Sequence, residues 1–160
     1  MKLEKKYISL ARIIKKHKAA NILSVEACFS ILSTGMRIDK ECAKRLSDYQ
    51  LSEGRFMVLV LLFEHKVLSP QEIATLSGVT KPTITSFIHS LVKEKLVNKT
   101  EDITDGRKID ITLTKKGQDL IHRIFKEHSL WIANITKNLT DSEIKTLVCI
   151  LNKMSQLKDD

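Results

Sequence analysis

Apolar residues recur every three to four positions over most of the chain, which predicts a protein built mainly from amphipathic helices. The first such pattern covers residues 3–18, where lysines occupy the faces between the apolar positions. A second covers residues 24–49, with Ser24 as a candidate N-cap and Gly35 as a candidate kink or close contact. The predicted apolar positions of these helices are Leu3, Tyr7, Leu10, Ala11, Ile14, Ala27, Cys28, Ile31, Leu32, Ile38, Cys42 and Leu46.

The middle of the chain carries a short, almost wholly apolar segment and then a well-marked helix start. Residues 56–63, after the candidate cap Ser52, leave no polar side for solvent, so we expect a central core helix there. Ser69 and Glu72 have the spacing of a capping box, with Pro at the first helical position. We expect Gly78 to make the turn that ends this helix, and three of its side chains to face inward: Ile73, Ala74 and Leu76.

The next segment combines a two-faced helix with a hairpin. Thr80 is the candidate N-cap of a helix over residues 80–95. Two β-branched segments, 96–100 and 109–113, then flank a charged tip that contains Gly106, which predicts a β-hairpin. Short helices followed by a hairpin are typical of a winged helix-turn-helix, which reads DNA. The helix is predicted to bury Ile84, Phe87, Ile88 and Leu91 and to expose Lys81, Pro82, Thr83, Thr85, Ser86 and His89.

Two further helices are predicted after the hairpin. Thr114 is the candidate N-cap of a helix that runs to about Lys137, and Thr140 with Glu143 marks a second capping box. The last helix has apolar residues at helical spacing: Ile144, Leu147, Val148, Ile150, Leu151, Met154 and Leu157. The predicted fold class is therefore mainly α with a small β-hairpin wing, an α+β arrangement.

The balance of charges narrows the class of partner. The chain has 27 Lys and Arg residues against 19 Asp and Glu, a formal net charge of +8. This balance favours an anionic partner, either nucleic acid or an acidic membrane surface. No apolar run approaches the roughly 18 residues needed to cross a bilayer, so we expect a soluble, cytosolic protein without membrane contact. The helix and hairpin pattern then favours double-stranded DNA.

The exposed face of the predicted recognition helix carries groups that suit DNA reading. Thr83, Thr85 and Ser86 can exchange hydrogen bonds with base edges or phosphates, and threonine methyl groups can contact thymine methyl groups. Lys81 lies in the first turn, where the helix dipole also favours a phosphate. The alternative is that these Ser and Thr residues only cap and solvate a surface helix.

The hairpin tip is expected to enter the minor groove of DNA. Arg107 is the candidate for this contact, because a guanidinium suits that narrow, electronegative groove. Lys108 beside it is a second candidate DNA-binding cation. Asp105 is expected to brace the tip by pairing with Arg107. The alternative is an ordinary solvated Asp-Gly turn.

Two stretches resemble a known family. LSPQEIATLSGVTKPTITSFIHSLVKEKLV, followed by DITDGRKIDITLTKKG, is similar to the MarR family of bacterial winged-helix transcription regulators. The resemblance continues into LTDSEIKTLVCIL and spans roughly residues 25–157. It implies an obligate homodimer with recognition helices in successive major grooves of a pseudopalindromic site. Many members of this family are released from DNA when a small anionic or phenolic ligand binds, and the resemblance implies the same behaviour here.

The resemblance assigns roles residue by residue. It implies phosphate contacts at Ser69 and Lys81 and a minor-groove contact at Arg107. Many relatives have Arg or Lys where Ser86 stands here, and Gly where Lys95 stands, which leaves base preference and the helix-to-hairpin turn open. The base-facing positions that it implies are Pro82, Thr83, Thr85, Ser86 and His89.

The chain divides into four predicted parts. Residues 1–23 form a basic amino-terminal helical extension, and residues 24–50 a dimerisation or linker helix. Residues 51–117 form the winged helix-turn-helix domain, and residues 118–160 the carboxyl-terminal dimerisation helices. The extension is longer than the usual start of the family. It could wrap the dimer, contact phosphates at the edge of the DNA site, or remain a solvated basic face.

The sequence offers weaker signals for a sensor site than for DNA binding. Cys28 is a candidate redox site, because its register resembles that of a peroxide-sensing branch of the family, although the tyrosines that surround the thiolate there are absent here. A packed, reduced thiol is the alternative. His17, Arg37, Arg45 and Arg55 are candidates to bind an anionic effector between the two lobes. The Cys and His spacings predict neither a disulfide framework nor a metal site.

Catalysis is not expected, because the sequence has no Gly-rich phosphate loop, no nucleophile elbow and no His set beside a Ser or Cys in a recognisable frame. No cofactor is expected either. The prediction is a DNA-binding transcription regulator of the MarR type, with repression as the expected outcome. The alternatives are a redox sensor that acts through Cys28, and a winged-helix protein–protein adaptor that does not read DNA.

Overall fold

The computed structural model describes residues 5–17, 21–101 and 109–156, and it has the predicted mainly helical fold with a small β wing. Its strands form an antiparallel sheet with the order β1-β3-β2. Within the described ranges, no helix is long and apolar enough to cross a membrane. The elements in chain order are α1 (Lys5–His17), α2 (Ile22–Ser47), α3 (Glu53–His65), β1 (Val67–Leu68), α4 (Pro70–Ser77), α5 (Lys81–Lys93), β2 (Val97–Glu101), β3 (Ile109–Leu113), α6 (Lys115–Ile135) and α7 (Asp141–Ser155).

The chain divides into two compact units, residues 1–57 and residues 58–160. In the first unit α1 packs against α2 through Tyr7, whose ring stacks on Phe29 with the centroids 4.9 Å apart. The Tyr7 hydroxyl also lies 3.4 Å from the sulfur of Met36. Leu10 is 45% exposed, contrary to the prediction, because it lies to one side of this contact. Leu3 lies outside the described residues.

The second helix differs from the prediction at its start and along its apolar stripe. Asn21 is its N-cap, and the side-chain oxygen of Asn21 accepts a hydrogen bond from the Leu23 N–H at 2.9 Å. Asn caps a helix as well as Ser does, so the helix begins before Ser24. A Cβ on Gly35 would meet no atom within 4 Å, so the expected close contact is absent from the described chain. Of the predicted stripe only Leu46 is buried, while Ala27, Cys28, Ile31 and Leu32 are exposed.

In the second unit the apolar helix α3 supplies the centre of the core, as predicted. Its residues Val58, Leu59, Leu61 and Leu62 are buried. Met57, the residue of α3 just before this unit, is 44% exposed and gives the helix a solvent-facing position that the sequence did not indicate. The other elements contribute buried side chains around it: Ile73, Ile84, Ile88, Leu91, Ile111, Ile121 and Ile124.

The strand β1 was not predicted from the sequence. It contains only two residues, Val67 and Leu68, which pair with Thr112 and Ile111 of β3. A pattern of alternating side chains cannot be recognised over two positions. The strand exists because β3 has a free edge that can accept it.

The last two helices begin as predicted but leave their apolar sides uncovered in the single chain. Thr114 caps α6, and Thr140 with Glu143 forms a complete capping box at the start of α7. Helix α7 contains no buried residue. The exposed apolar side chains on these two helices include Leu130, Ile132, Ile135, Leu147, Val148, Ile150, Leu151 and Met154.

Candidate nucleic-acid interface

The helix-turn-helix begins with the capping box at Ser69. The Ser69 N–H donates to the Glu72 carboxylate at 2.7 Å, the Ser69 hydroxyl donates to the same oxygen at 2.8 Å, and the hydroxyl accepts from the Glu72 N–H at 3.3 Å. These bonds, first from the backbone N–H and then from the hydroxyl, lower the pKa of Glu72. Ser69 therefore has no proton left for a phosphate in this geometry, and its proposed phosphate contact requires the hydroxyl to leave Glu72.

The turn between the two helices needs a left-handed residue and has one. Gly78 has φ +67° and ψ 17°, a conformation that glycine adopts without a steric penalty. Thr80 then stands at the N-cap of α5 as predicted, but its hydroxyl pairs with the hydroxyl of Thr83 at 2.9 Å instead of capping the helix. Leu76 was predicted to face inward and is 50% exposed, because it lies on the outer side of α4.

Helix α5 has one buried face and one exposed face, as the sequence predicts. Ile84, Ile88 and Leu91 are buried and Phe87 is half-buried. At 3.6 residues per turn these four positions occupy one side of the helix, which anchors it in the unit. The opposite side presents six exposed side chains in a continuous arc: Lys81, Pro82, Thr83, Thr85, Ser86 and His89.

The hydroxyl groups on the exposed face differ in what they can offer a ligand. The Thr85 hydroxyl donates to the carbonyl oxygen of Lys81 at 2.9 Å, so its oxygen can only accept a further bond. The Ser86 hydroxyl and the His89 ring have no hydrogen-bond partner among the residues that the structure describes. Both are therefore available as donors or acceptors to an external group.

The helix-to-hairpin turn explains why Lys95 is an unusual residue for its position. Its φ is +60°, a left-handed conformation that favours glycine. The Lys95 N–H donates to the Val92 carbonyl at 2.9 Å, and the Leu96 N–H donates to the Leu91 carbonyl at 2.9 Å. This is the hydrogen-bond pattern of a Schellman motif, which fixes the direction in which the chain leaves α5.

The start of α6 is bonded to the same turn. The Thr114 hydroxyl donates to the Lys95 carbonyl at 2.7 Å, and the Lys116 amine donates to the Glu94 carbonyl at 3.0 Å. Thr114 also caps α6 by accepting from the Gly117 N–H at 3.0 Å. The side chains of Thr114 and Lys116 therefore hold the start of α6 to backbone carbonyls at the end of the recognition helix. The sequence pattern did not single out Gly117 or Lys116.

The hairpin that follows has the predicted strands. Glu101 of β2 pairs with Ile109 of β3, and the register continues to Val97 opposite Leu113. The candidate tip residues Asp105, Arg107 and Lys108 lie outside the described residues, so their predicted roles as brace and DNA contacts stay predictions.

The cysteines are free and less buried than expected. Cys28 and Cys149 are exposed and Cys42 is half-buried, so the alternative of a packed Cys28 thiol does not hold within the single chain. Burial, followed by the nearby carboxylates of Glu53 and Asp39, raises the pKa of the Cys42 thiol. Among the described residues no group of three His, Cys, Asp or Glu side chains could hold a metal ion.

Two of the four residues proposed to bind an anionic effector already have partners within the chain. Arg45 pairs with Glu41 at 3.2 Å, and Arg55 donates to the Gln50 carbonyl at 3.1 Å. His17 and Arg37 are exposed. A different location, a groove of about 580 Å³, combines an apolar wall with the Lys66 amine and is lined by residues that include Phe63 and His122. The sequence pattern did not indicate this groove.

Comparison with known proteins agrees with this geometry. The family model described as MarR family matches residues 51–109. The chain is 32% identical over 142 residues to the HTH-type transcriptional repressor YetL of Bacillus subtilis, with 85% of each covered. It is 27% identical over 117 residues to the HTH-type transcriptional regulator BilQ of Clostridioides difficile, which covers 73% of this chain and 79% of that protein.

Solved structures share the fold. The YusO protein from Bacillus subtilis has a TM-score of 0.71 at 23% identity, covering 85% of this chain and 96% of that one. The MepR protein of S. aureus in complex with DNA has a TM-score of 0.65 at 22% identity, covering 80% and 93%. The fold and the two-faced helix α5 define a winged helix-turn-helix DNA-binding protein. The chain belongs to the MarR family, and it is a transcription regulator, not an enzyme.

Proposed function

We propose that this regulator is a homodimeric repressor that reads a pseudopalindromic operator through α5 and the wing. The observation that carries the proposal is the exposed polar arc of α5 opposite a fully anchored apolar face. Such a helix can enter a major groove without losing its packing. The similarity to YetL, which is named a repressor, supports repression as the outcome.

Dimerisation is supported by the apolar surface that the single chain leaves uncovered. Helix α7 buries nothing, and α6 exposes Leu130, Ile132 and Ile135. Monomeric proteins rarely expose contiguous apolar patches of this kind. A second copy with the same surface would cover both, as expected for a two-fold symmetric interface.

Selection of binding sites from random duplex DNA by the wild-type protein tests operator reading. We expect an enriched inverted repeat whose half-sites are one helical turn, about 34 Å, apart. Arg107→Ala should then weaken binding to the selected site by roughly 1 to 3 kcal/mol. Failure to enrich any sequence would contradict operator reading and would favour the adaptor alternative, and unchanged affinity of Arg107→Ala would contradict the wing assignment.

Release by a small anionic or phenolic ligand is the second part of the proposal. Of the candidate cations, His17 and Arg37 are exposed and form no ion pair among the described residues, whereas the exposed Arg45 pairs with Glu41. The groove beside Lys66 is the other location that combines a cation with an aromatic ring. A panel of aromatic carboxylates and phenols, assayed by operator affinity with Arg37→Gln and Lys66→Gln, separates the two locations. Operator affinity that no compound changes would contradict control by this class of ligand.

A redox switch at Cys28 is the alternative means of control, and the exposure of this thiol in the chain favours testing it. Operator affinity should be measured before and after peroxide treatment in the wild type and in Cys28→Ser. A peroxide response that persists in Cys28→Ser excludes this alternative, because the oxidisable thiol has been removed.

A further inference from the structure

Helix α5 exposes a titratable ring on its polar side. The side chain of His89 is exposed, and it lies about two turns beyond Lys81 along the helix. A histidine side chain changes its charge between about pH 5 and 8, so the charge of such a ring near neutral pH depends on what it contacts. The exposed residues between Lys81 and His89 carry no ionisable side chain: Pro82, Thr83, Thr85 and Ser86.

The described part of the chain gives the His89 ring no charged partner. Helix α5 packs against α4 and β2. The charged residues on these two elements are Glu72, Lys99 and Glu101. The Glu72 carboxylate accepts its hydrogen bonds from Ser69. On α5 itself, Lys93 lies one turn beyond His89 and has a charge of the same sign as an imidazolium. Because His89 forms no ion pair with any residue in the described ranges, an external group meets no competitor there for the ring.

A DNA duplex would supply acceptors that suit the protonated form of this ring. Guanine presents its N7 and O6 atoms as acceptors in the major groove, and each phosphate carries a negative charge. A neutral imidazole has one N–H donor, whereas an imidazolium has two N–H donors and a positive charge. Hydrogen bonds from a charged donor are the stronger ones, so both kinds of acceptor bind the imidazolium more tightly than the neutral ring.

We propose that His89 binds an acceptor of the DNA as an imidazolium, so that the protein takes up a proton on binding and its operator affinity increases as the pH falls. This inference rests on the proposed operator reading, because it requires α5 to lie in the groove. The complex favours the charged ring more than the free protein does, so the complex holds more protons and a lower pH favours it. One proton corresponds to at most about a tenfold change in affinity per pH unit for each subunit.

The test is the pH dependence of affinity for the selected operator, measured at constant ionic strength from about pH 8 to about pH 6. His89→Gln keeps a donor and an acceptor but cannot gain a proton, and glutamine is a good helix former. The affinity of this variant relative to the wild type should fall as the pH falls, by up to about tenfold per pH unit for each subunit. The matched control is His65→Gln, which removes an exposed histidine at the end of α3 and should keep the wild-type pH dependence.

Equal pH dependence of the wild type and His89→Gln on an enriched operator overturns this inference alone, whereas failure to enrich any operator contradicts the proposed function. Calorimetry in two buffers that differ in ionisation enthalpy gives a second readout. At about pH 7 the wild type should take up more protons on binding than His89→Gln does, and equal uptake also overturns the inference.

A duplex without the selected site separates the two kinds of acceptor. A difference in pH dependence between the wild type and His89→Gln that persists on this duplex assigns the contact to a phosphate, because phosphate contacts do not depend on sequence. A difference confined to the operator assigns it to a base edge. The same duplex keeps the inference testable if operator reading fails, since a phosphate contact forms on any duplex.

Discussion

The backbone carbonyl oxygen of Leu96 occupies the space that a β-carbon on Gly117 would need. Gly117 lies in the first turn of α6, and Leu96 follows the left-handed Lys95. The carbonyl cannot move aside easily, because it also accepts a hydrogen bond from the Thr114 N–H at 3.0 Å. The glycine is therefore required for the close approach of α6 to the end of the recognition helix.

Gly117→Ala should destabilise the protein by about 1 to 3 kcal/mol, the usual cost of forcing a methyl group into filled space. Urea unfolding at one fixed protein concentration measures this cost, since a dimer's apparent stability depends on concentration. Gly35→Ala is the control, because open space surrounds Gly35 in the chain and alanine favours a helix interior by up to about 1 kcal/mol. Equal effects of the two substitutions would contradict the steric argument.

Lys95→Gly should stabilise the protein by about 0.5 to 1 kcal/mol. Glycine removes the strain of φ +60° at this position, and part of the gain is offset by the greater freedom of glycine in the unfolded chain. Lys95→Ala removes the same charge but keeps the strain, so we expect no gain from it. Thermal unfolding of both variants distinguishes relief of backbone strain from an effect of charge.

The capping boxes predict selective changes in carboxyl titration. Ser69→Ala removes the hydroxyl bond but keeps the backbone N–H bond, which is the larger cause of the lowered pKa of Glu72. It should therefore raise the pKa of Glu72 part of the way towards its ordinary value and leave Glu143 unchanged, while Thr140→Ala should do the reverse. Both carboxyl groups have lowered pKa values when folded. Their contribution to stability is therefore present above the ordinary pKa of 4.5 and is lost as the pH falls through the lowered values.

Carbon-detected NMR titration of the side-chain carboxyl groups measures these pKa values directly. Each variant is the control for the other, because the two boxes have the same residue spacing on different helices. A pKa of Glu72 that does not move in Ser69→Ala would contradict a contribution from the Ser69 hydroxyl.

Thiol reactivity should follow the environments of the three cysteines. Cys42 should react with iodoacetamide more slowly near neutral pH than the exposed Cys149, because its raised pKa leaves less thiolate. Glu53→Gln should speed the reaction of Cys42 by removing one of the two carboxylates that raise its pKa, without changing Cys149. Mass spectrometry of tryptic peptides over time gives each rate, and an unaffected Cys42 would show that Glu53 has no influence on the thiol.

The neighbouring residues Thr85 and Ser86 should respond differently to loss of the hydroxyl group. Thr85→Val keeps a methyl group and removes a hydroxyl that already donates to the Lys81 carbonyl oxygen, so its effect on operator affinity should be small. Ser86→Ala removes a hydroxyl that is free to contact a base edge and should cost about 0.5 to 1.5 kcal/mol. Equilibrium binding to the selected operator measures both effects. A larger loss of affinity for Thr85→Val than for Ser86→Ala would contradict these roles.

The sequence predicted the helix boundaries best where local side-chain bonds determine them. The capping boxes at Ser69 and Thr140 and the left-handed Gly78 depend on neighbours within a few residues, and these predictions were confirmed. Burial was predicted less well, since it depends on partners elsewhere in the chain. Leu76 and Met57 have the pattern of core residues, and yet neither is covered.

The sequence predicted part of the candidate DNA-binding site and missed the parts that depend on tertiary contacts. The exposed arc of α5 follows from its helical period, and this part of the prediction was confirmed. The commitment of the Ser69 hydroxyl to Glu72, and the need for glycine at position 117, could not be inferred from the pattern. Both depend on distances between groups that the fold brings together.

Helix α6 has 21 residues and a length of about 31 Å. One end is bonded to the turn that ends the recognition helix, through Thr114 and Lys116, and the other end exposes Leu130, Ile132 and Ile135. The helix therefore connects an apolar contact surface to the DNA-reading element over its whole length. Over about 31 Å, a tilt of about 5° corresponds to a displacement of about 3 Å at the far end.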